Sequence, residues 1–190
     1  MKIAFVTQFF SKGMGYTENM LPKYLSILGH EVLVLSSDLQ VYGNSPKYVS
    51  NYQSYLGNAC CNLGDEMQEG FLLRRLKHYS INSYIGLVGL EEALREFSPD
   101  VVQFSQAAGL DTFKILINRS NFFCPVFTEC HQHKSIARNY LLNMNFFSTL
   151  KKYAYFLTRT FPAWLAHKRV EKCFAISPDC LDVANTNYAI

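Results

Sequence analysis

Residues 1–36 read MKIAFVTQFFSKGMGYTENMLPKYLSILGHEVLVLS, and this stretch decides the fold class. Lys2 to Thr7 is a short apolar run with β-branched and aromatic residues, which predicts a strand. Gly13-Met14-Gly15 then interrupts it. From Tyr16 to Leu28, Met20, Leu21, Tyr24, Leu25 and Leu28 recur at helical spacing, with Glu18 near the start and Gly29 where a helix ends. Pro22 falls early enough in this helix to be tolerated. Glu31 to Ser36 is a second strand, nearly all apolar. A strand apolar on both faces belongs in a covered parallel sheet.

The same alternation continues outward. Asp38 to Asp65, with Gly43, Asn44, Pro46 and Gly57, reads as a long tyrosine-rich irregular stretch. Phe71 to Leu76 reads as a strand, Ile81 to Phe97 as mostly helix, and Val101 to Ser105 as a strand led in by Pro99-Asp100. Leu110 to Ile117 is helical, Pro125 to Cys130 a strand, and residues 136–150 and 153–171 are helical stretches. Cys173 to Ile176 is a last strand, with Ser177-Pro178-Asp179 as the cap and first turn of a helix. This order predicts an α/β fold: a doubly wound, Rossmann-like parallel sheet in three α/β/α layers. At 190 residues, the whole of 1–190 fits one domain. The tail Asn185 to Ile190 brings no closing element, as expected where a further domain would begin.

Composition narrows the function classes. A net charge of +3 gives no reason to expect a nucleic-acid partner. The opening apolar run is too short for a signal-peptide core, and no stretch is long enough to span a membrane. A cytoplasmic location follows, with the six cysteines reduced. Phe146 to Arg169 interleaves aromatic and basic residues. It reads either as an interfacial helix at the inner face of the membrane or as a core helix with a solvated basic face.

Ligands of such sheets bind beyond the carboxyl ends of the strands, where three loops stand out. In Ser11 to Tyr16, Gly13 and Gly15 let the backbone approach a ligand, and the following helix offers free amides to a phosphate; the alternative is a simple turn. Asp38 sits about where a ribose-binding acid belongs, but Glu18 replaces the third glycine, so a nicotinamide reading fails. In the second loop, Ser105 and Gln106 could bind sugar hydroxyls, or merely start a loop. In the third, His131 and His133 follow a strand into the cleft, where an imidazole positions a substrate or takes a proton; a structural role is the alternative. Cys124, Cys130, His131 and His133 match no usual zinc spacing.

The ordered set resembles the N-terminal domains of GT-B glycosyltransferases of family four (group one). It comprises the opening strand, Gly13-Met14-Gly15-Tyr16, Gly29-His30-Glu31-Val32, Pro99-Asp100-Val101-Val102, the proline-led strand from Pro125 to His131, and Ala175-Ile176-Ser177. The resemblance implies sugar transfer from a nucleotide-sugar to a glycan, lipid-linked or other acceptor, usually with retention of configuration and with no metal or cofactor. It assigns the loop of Gly13, Gly15 and Tyr16 to the donor diphosphate, His131 to the transferred sugar and the domain mainly to the acceptor, for which Ser105, Gln106 and His133 are the candidate contacts in this chain. Gln103-Phe104-Ser105 stands where many members carry His-Val-His, and the family's paired-glutamate motif has no counterpart. The donor-binding half is therefore expected on a missing C-terminal domain or a partner subunit, and this chain alone is expected to be inactive. The alternative is a non-catalytic subunit or fragment that pairs with a separate donor-binding chain.

Overall fold

The computed structural model describes residues 1–81, 84–118, 124–131, 153–154, 157 and 161–185. The chain divides into two compact units, Met1–Ser105 and Gln106–Ile190.

The first unit is built on β1 (Lys2–Thr7), α1 (Thr17–Ile27) and β2 (Glu31–Ser37), as residues 1–36 predict. Two single-turn helices come next, α2 (Tyr48–Asn51) and α3 (Gln53–Leu56). Then come β3 (Gly64–Gln68), β4 (Phe71–Leu76), β5 (His78–Ile81), β6 (Tyr84–Leu87), α4 (Leu90–Phe97) and β7 (Val101–Phe104). Within this unit the sheet runs β3-β4-β2-β1-β7. β1 pairs in parallel with β2 on one side and β7 on the other, Phe5 lying opposite both Val34 and Gln103. Winding therefore reverses at β1, and the strand ends beside it are where such sheets open to ligands.

The two faces are covered by different helices. Ile3, Phe5, Val32, Val34, Phe71 and Leu73 share one buried cluster with Leu21 and Leu25 of α1. Arg74, one residue on from Leu73 and so on the other face, ion-pairs with Glu96 of α4 at 2.6 Å. The first unit is thus helix, sheet and helix, as right-handed crossovers of opposite direction require. Phe5, Phe71 and Leu73 are at most 1 % exposed, and each contributes roughly 1.5–3 kcal/mol of burial.

The doubly wound α/β sheet is the one expected, with β3 added antiparallel on β4 at its edge. Two sequence expectations are corrected. The stretch from Asp38 to Asp65 is not wholly irregular, since it holds α2, α3 and the start of β3. Ile81 to Phe97 is not mostly helix: β5 and β6 pair antiparallel, and among the described residues only Leu90–Phe97 is helical. Gly86 explains the last. The Tyr79 ring lies across it, with ring atoms 2.3–2.6 Å from where any Cβ would stand. Glycine also costs a helix about 1 kcal/mol relative to alanine.

In the second unit, β8 (Val126–Cys130) pairs in parallel with β9 (Lys172–Ala175). α5 (Leu110–Ile117) and α6 (Phe161–His167) are tied through Arg169, whose guanidinium donates to the carbonyls of Leu116 at 3.0 Å and Ile117 at 2.9 Å. α7 (Pro178–Val183) starts on the side chain of Ser177, which accepts the Cys180 amide at 3.3 Å, the cap expected from Ser177-Pro178-Asp179. Its Cys180 and Val183 pack with Ala107, Cys130 and Ala184.

Arg74 grips Asp65, its cross-strand partner, by two bonds of 2.7 and 2.8 Å. That holds the Asp65 carboxyl below its ordinary pKa. A depressed carboxyl adds stability above its unfolded value and loses it as pH falls through the folded one. Asp65→Asn should therefore lower the urea midpoint at pH 7 and flatten its decline below about pH 4. Solvent keeps the effect under about 1 kcal/mol. Parallel acid limbs for the two proteins would disprove it.

Candidate functional site

After β1 the chain enters the glycine loop, which is fastened from three sides. Ser11, 1 % exposed, donates from Oγ to Gln40 Oε1 at 2.6 Å and accepts the Val41 amide at 2.9 Å. Asn19 of α1 donates from Nδ2 to the Ser11 carbonyl at 2.9 Å, and Ser37 at the end of β2 donates to the Gln8 carbonyl at 2.5 Å. Beyond these anchors the loop opens. A Cβ added at Gly13 (φ +73°) or at Gly15 would meet nothing within 4 Å. Lys12 leaves the loop to bind Glu66 of β3, which lowers the pKa of Glu66.

The tyrosine-rich segment after β2 is folded against itself. Gln40 donates its backbone N–H to the Ala59 carbonyl at 2.9 Å. At Gly43, a Cβ would stand 2.8 Å from the Ala59 carbonyl oxygen and 2.9 Å from that of Gln40, so no side chain fits. Next to it, Tyr42 holds a left-handed backbone (φ 62°), an arrangement that costs about 1–2 kcal/mol outside glycine. Its ring stacks on Tyr52 at 4.7 Å, and Tyr52 in turn meets Tyr48 and Tyr55, each at 6.0 Å. The Tyr42 and Tyr16 hydroxyls lie 3.4 Å apart. This contact, with some burial, pushes the Tyr16 phenol up to about 12. Tyr48 is buried while Tyr16, Tyr42 and Tyr55 are exposed, so the cluster has a fixed base and an open aromatic surface.

Beside this surface is a cleft of about 380 Å³, lined by Lys12, Gln40, Tyr55, Asn62, Glu66 and Arg75 among others. That volume suits a sugar-sized ligand. Aromatic faces, amides and charges together can bind a ring through both its apolar and its polar edges. Asp38, by contrast, is committed elsewhere. Its carboxylate accepts the His78 amide at 3.0 Å and meets the His78 ring at 2.6 Å, tying down the β5–β6 hairpin.

In the second unit, His131 comes directly after β8. Its Nε2 lies 2.7 Å from Oε2 of Glu129, whose side chain is only 7 % exposed while that of His131 is 37 %. A buried carboxylate beside Nε2 accepts from Nε2–H and so fixes the orientation of the ring. The preceding strand residue Thr128 is buried with its hydroxyl 3.3 Å from His167 Nε2. His133 lies outside the described residues, as does most of the aromatic and basic stretch from Phe146. Ser105 is 8 % exposed and donates its amide to the Val6 carbonyl at 2.9 Å. The Gln106 carbonyl accepts from Thr112 Oγ1 at 3.0 Å.

The sequence pattern marks His131 but not Glu129, and the glycines but not Lys12, Glu66 or Arg75. Arg75 had a signal. In the strand Phe71 to Leu76, Phe71, Leu73 and Arg75 share one parity, so a core-facing strand places a charge on its buried side.

No family model matches the chain, and no curated protein matches it. Among solved structures, the chain resembles the UDP complex of UGT89C1 from Arabidopsis thaliana. The TM-score is 0.45 and the identity 16 %, over 99 % of this chain and 46 % of that one. The chain thus spans about half the length of that structure. No helix among the described residues is long and apolar enough to cross a membrane.

The anchoring of the glycine loop is testable at Ser11. Ser11→Ala leaves the buried Val41 amide without its acceptor, so chemical denaturation should show a loss of about 1–3 kcal/mol. A change below about 0.5 kcal/mol would mean that the hydroxyl does not fasten the loop.

Proposed function

We propose that this chain is the acceptor-side domain of a GT-B glycosyltransferase, which moves a sugar from a nucleotide-sugar to a glycan or lipid-linked acceptor on the cytoplasmic side. The observation that carries this reading is the Glu129–His131 pair. A histidine at the end of the proline-led strand is what the resemblance expects near the transferred sugar, and here a buried carboxylate orients it. A ring held this way can position a sugar hydroxyl or stabilise developing charge without reorganising first. The glycine loop at the N-terminus of α1 supports the same reading, because open backbone and the positive end of a helix suit a diphosphate.

Transfer needs a second half-site, for the nucleotide base and ribose. In this reading it comes from a further domain of the same polypeptide or from a partner subunit, and retention of configuration follows the family resembled. The described side chains supply acceptor recognition and the histidine; leaving-group contacts are shared with the donor half.

The test uses the native gene product, purified with whatever chains accompany it. It is incubated with radiolabelled nucleotide-sugars and a glycan and lipid extract of its source cell. Labelled glycan should form. His131→Ala should lower kcat by about 100-fold, and Glu129→Gln should lower it less, since an amide can still hold the ring in place. No transfer from any nucleotide-sugar, together with no glycan binding, would overturn the reading.

A further inference from the structure

The cleft beside the glycine loop contains a charge that the transferase reading has not used. Arg75 is 5 % exposed, yet its hydrogen-bond acceptors are neutral. Nη1 donates to the Ser37 carbonyl at 3.2 Å and Nη2 to the Phe10 carbonyl at 3.0 Å. The guanidinium also stands 5.7 Å from the centroid of the Phe10 ring. Among the described residues no carboxylate comes within ion-pair distance of it. These two carbonyls take two of the five donors that a guanidinium carries. A buried cation without a bonded counter-charge is costly, and this one borders a cleft large enough to admit a ligand.

The surrounding groups give the cleft its sign. Lys12 reaches in from the glycine loop, and Glu66 from β3 binds it. Glu66 also feels Arg75, which helps to depress its carboxyl, but it bonds to Lys12 and to Gln68, at 2.8 Å for the latter. With two cations and one carboxylate, the cleft keeps one positive charge in excess. Asn62 lines the wall, and Tyr55 adds an exposed aromatic face.

We propose that this cleft binds an oxyanion, a phosphate or a carboxylate, with Arg75 as the fixed anchor and Lys12 as the movable second cation. Glu66 is the internal competitor: it holds Lys12 while the cleft is empty and yields it when an anion enters. Arg75 is preset because the two carbonyls and Phe10 lock its plane before any ligand arrives, so little side-chain entropy is lost on binding. That the anion belongs to the acceptor, as a phosphorylated or uronic sugar, rests on the transferase reading; the anion site itself does not.

The experiment titrates the full chain with inorganic phosphate, glucuronic acid and glucose at constant ionic strength, followed by 15N NMR and thermal shift. Phosphate or glucuronic acid should bind in the millimolar range and move the Arg75 Nε and Asn62 signals, while glucose moves neither. Preference for phosphate or for glucuronic acid identifies which oxyanion the cleft takes. Lys12→Met should weaken anion binding several-fold, and Arg75→Met should abolish it. Glu66→Gln serves if the Arg75 variant does not fold. Removing the competitor should tighten anion binding several-fold, whereas a purely structural Glu66 would give a destabilised protein with unchanged affinity. No shift at Arg75 with either anion would overturn the proposal. Sugar transfer without anion binding would refute only the anion site, and anion binding without transfer would refute only the transferase reading.

Discussion

Everything in the first unit depends on β1 having no wet side. Ala4, Phe5 and Val6 are 0, 0 and 3 % exposed, so both faces of the strand need cover and both edges need partners. α1 covers one face, and β2 and β7 complete the edges. Because the chain reaches β2 first and returns only later to β7, it must wind in both directions from β1. Reversal at a central strand leaves the chain exits beside it uncovered. The glycine loop opens at this point as a consequence of burying Phe5, before any ligand is considered.

Such an opening creates a problem of rigidity. A loop that must stay open cannot be held by its own packing, so neighbouring chain holds it through polar contacts. Ser11 joins it to the segment after β2, Asn19 joins it to α1, and Ser37 joins its first residues to the end of β2. These bonds are buried or half-buried, where each is worth more than it would be in water. The exposed Lys12–Glu66 contact differs in kind. Both side chains are about half exposed, so the pair is weakly held and can exchange partners. Fixed anchors below and an exchangeable cation above are a division that hydrogen-bond burial alone predicts.

The sequence made β1, α1, β2 and β4 legible because each has a strong period and clear punctuation. Apolar runs marked the buried strands, and Gly29 and Ser177 marked helix ends in positions that the structure keeps. The failures have a common cause. Residues 81–97 carry enough apolar residues for a helix, but the Tyr79 ring across Gly86 makes a hairpin of the first part, and no local pattern shows which ring lies on which glycine. β3 was missed because Gly64 to Met67 is exposed, so burial left no mark on it. For the site, His131 was legible as a histidine ending a strand, whereas Glu129 was hidden within the same strand as one more alternating residue. The tyrosine cluster was visible as composition only. Its geometry depends on Gly43 meeting the Ala59 carbonyl, a contact 16 residues away in sequence.

Near the glycine loop, several locally unfavourable features gather within a short stretch of structure. Tyr42 takes a backbone conformation suited to glycine. Asn19 buries an Oδ1 that has no partner among the described residues. Arg75 buries a cation against two carbonyls and the Phe10 ring. Each feature is costly, and a sequence optimised for stability alone would have placed glycine at 42 and apolar or better-paired residues at 19 and 75. Sequences tend to break their own local rules where a surface is shaped for something other than folding. Here all three departures adjoin the loop after β1 or the segment that fastens it, and the strands beneath follow the rules closely. The well-made sheet supplies the stability that lets its carboxyl edge remain strained, charged and open.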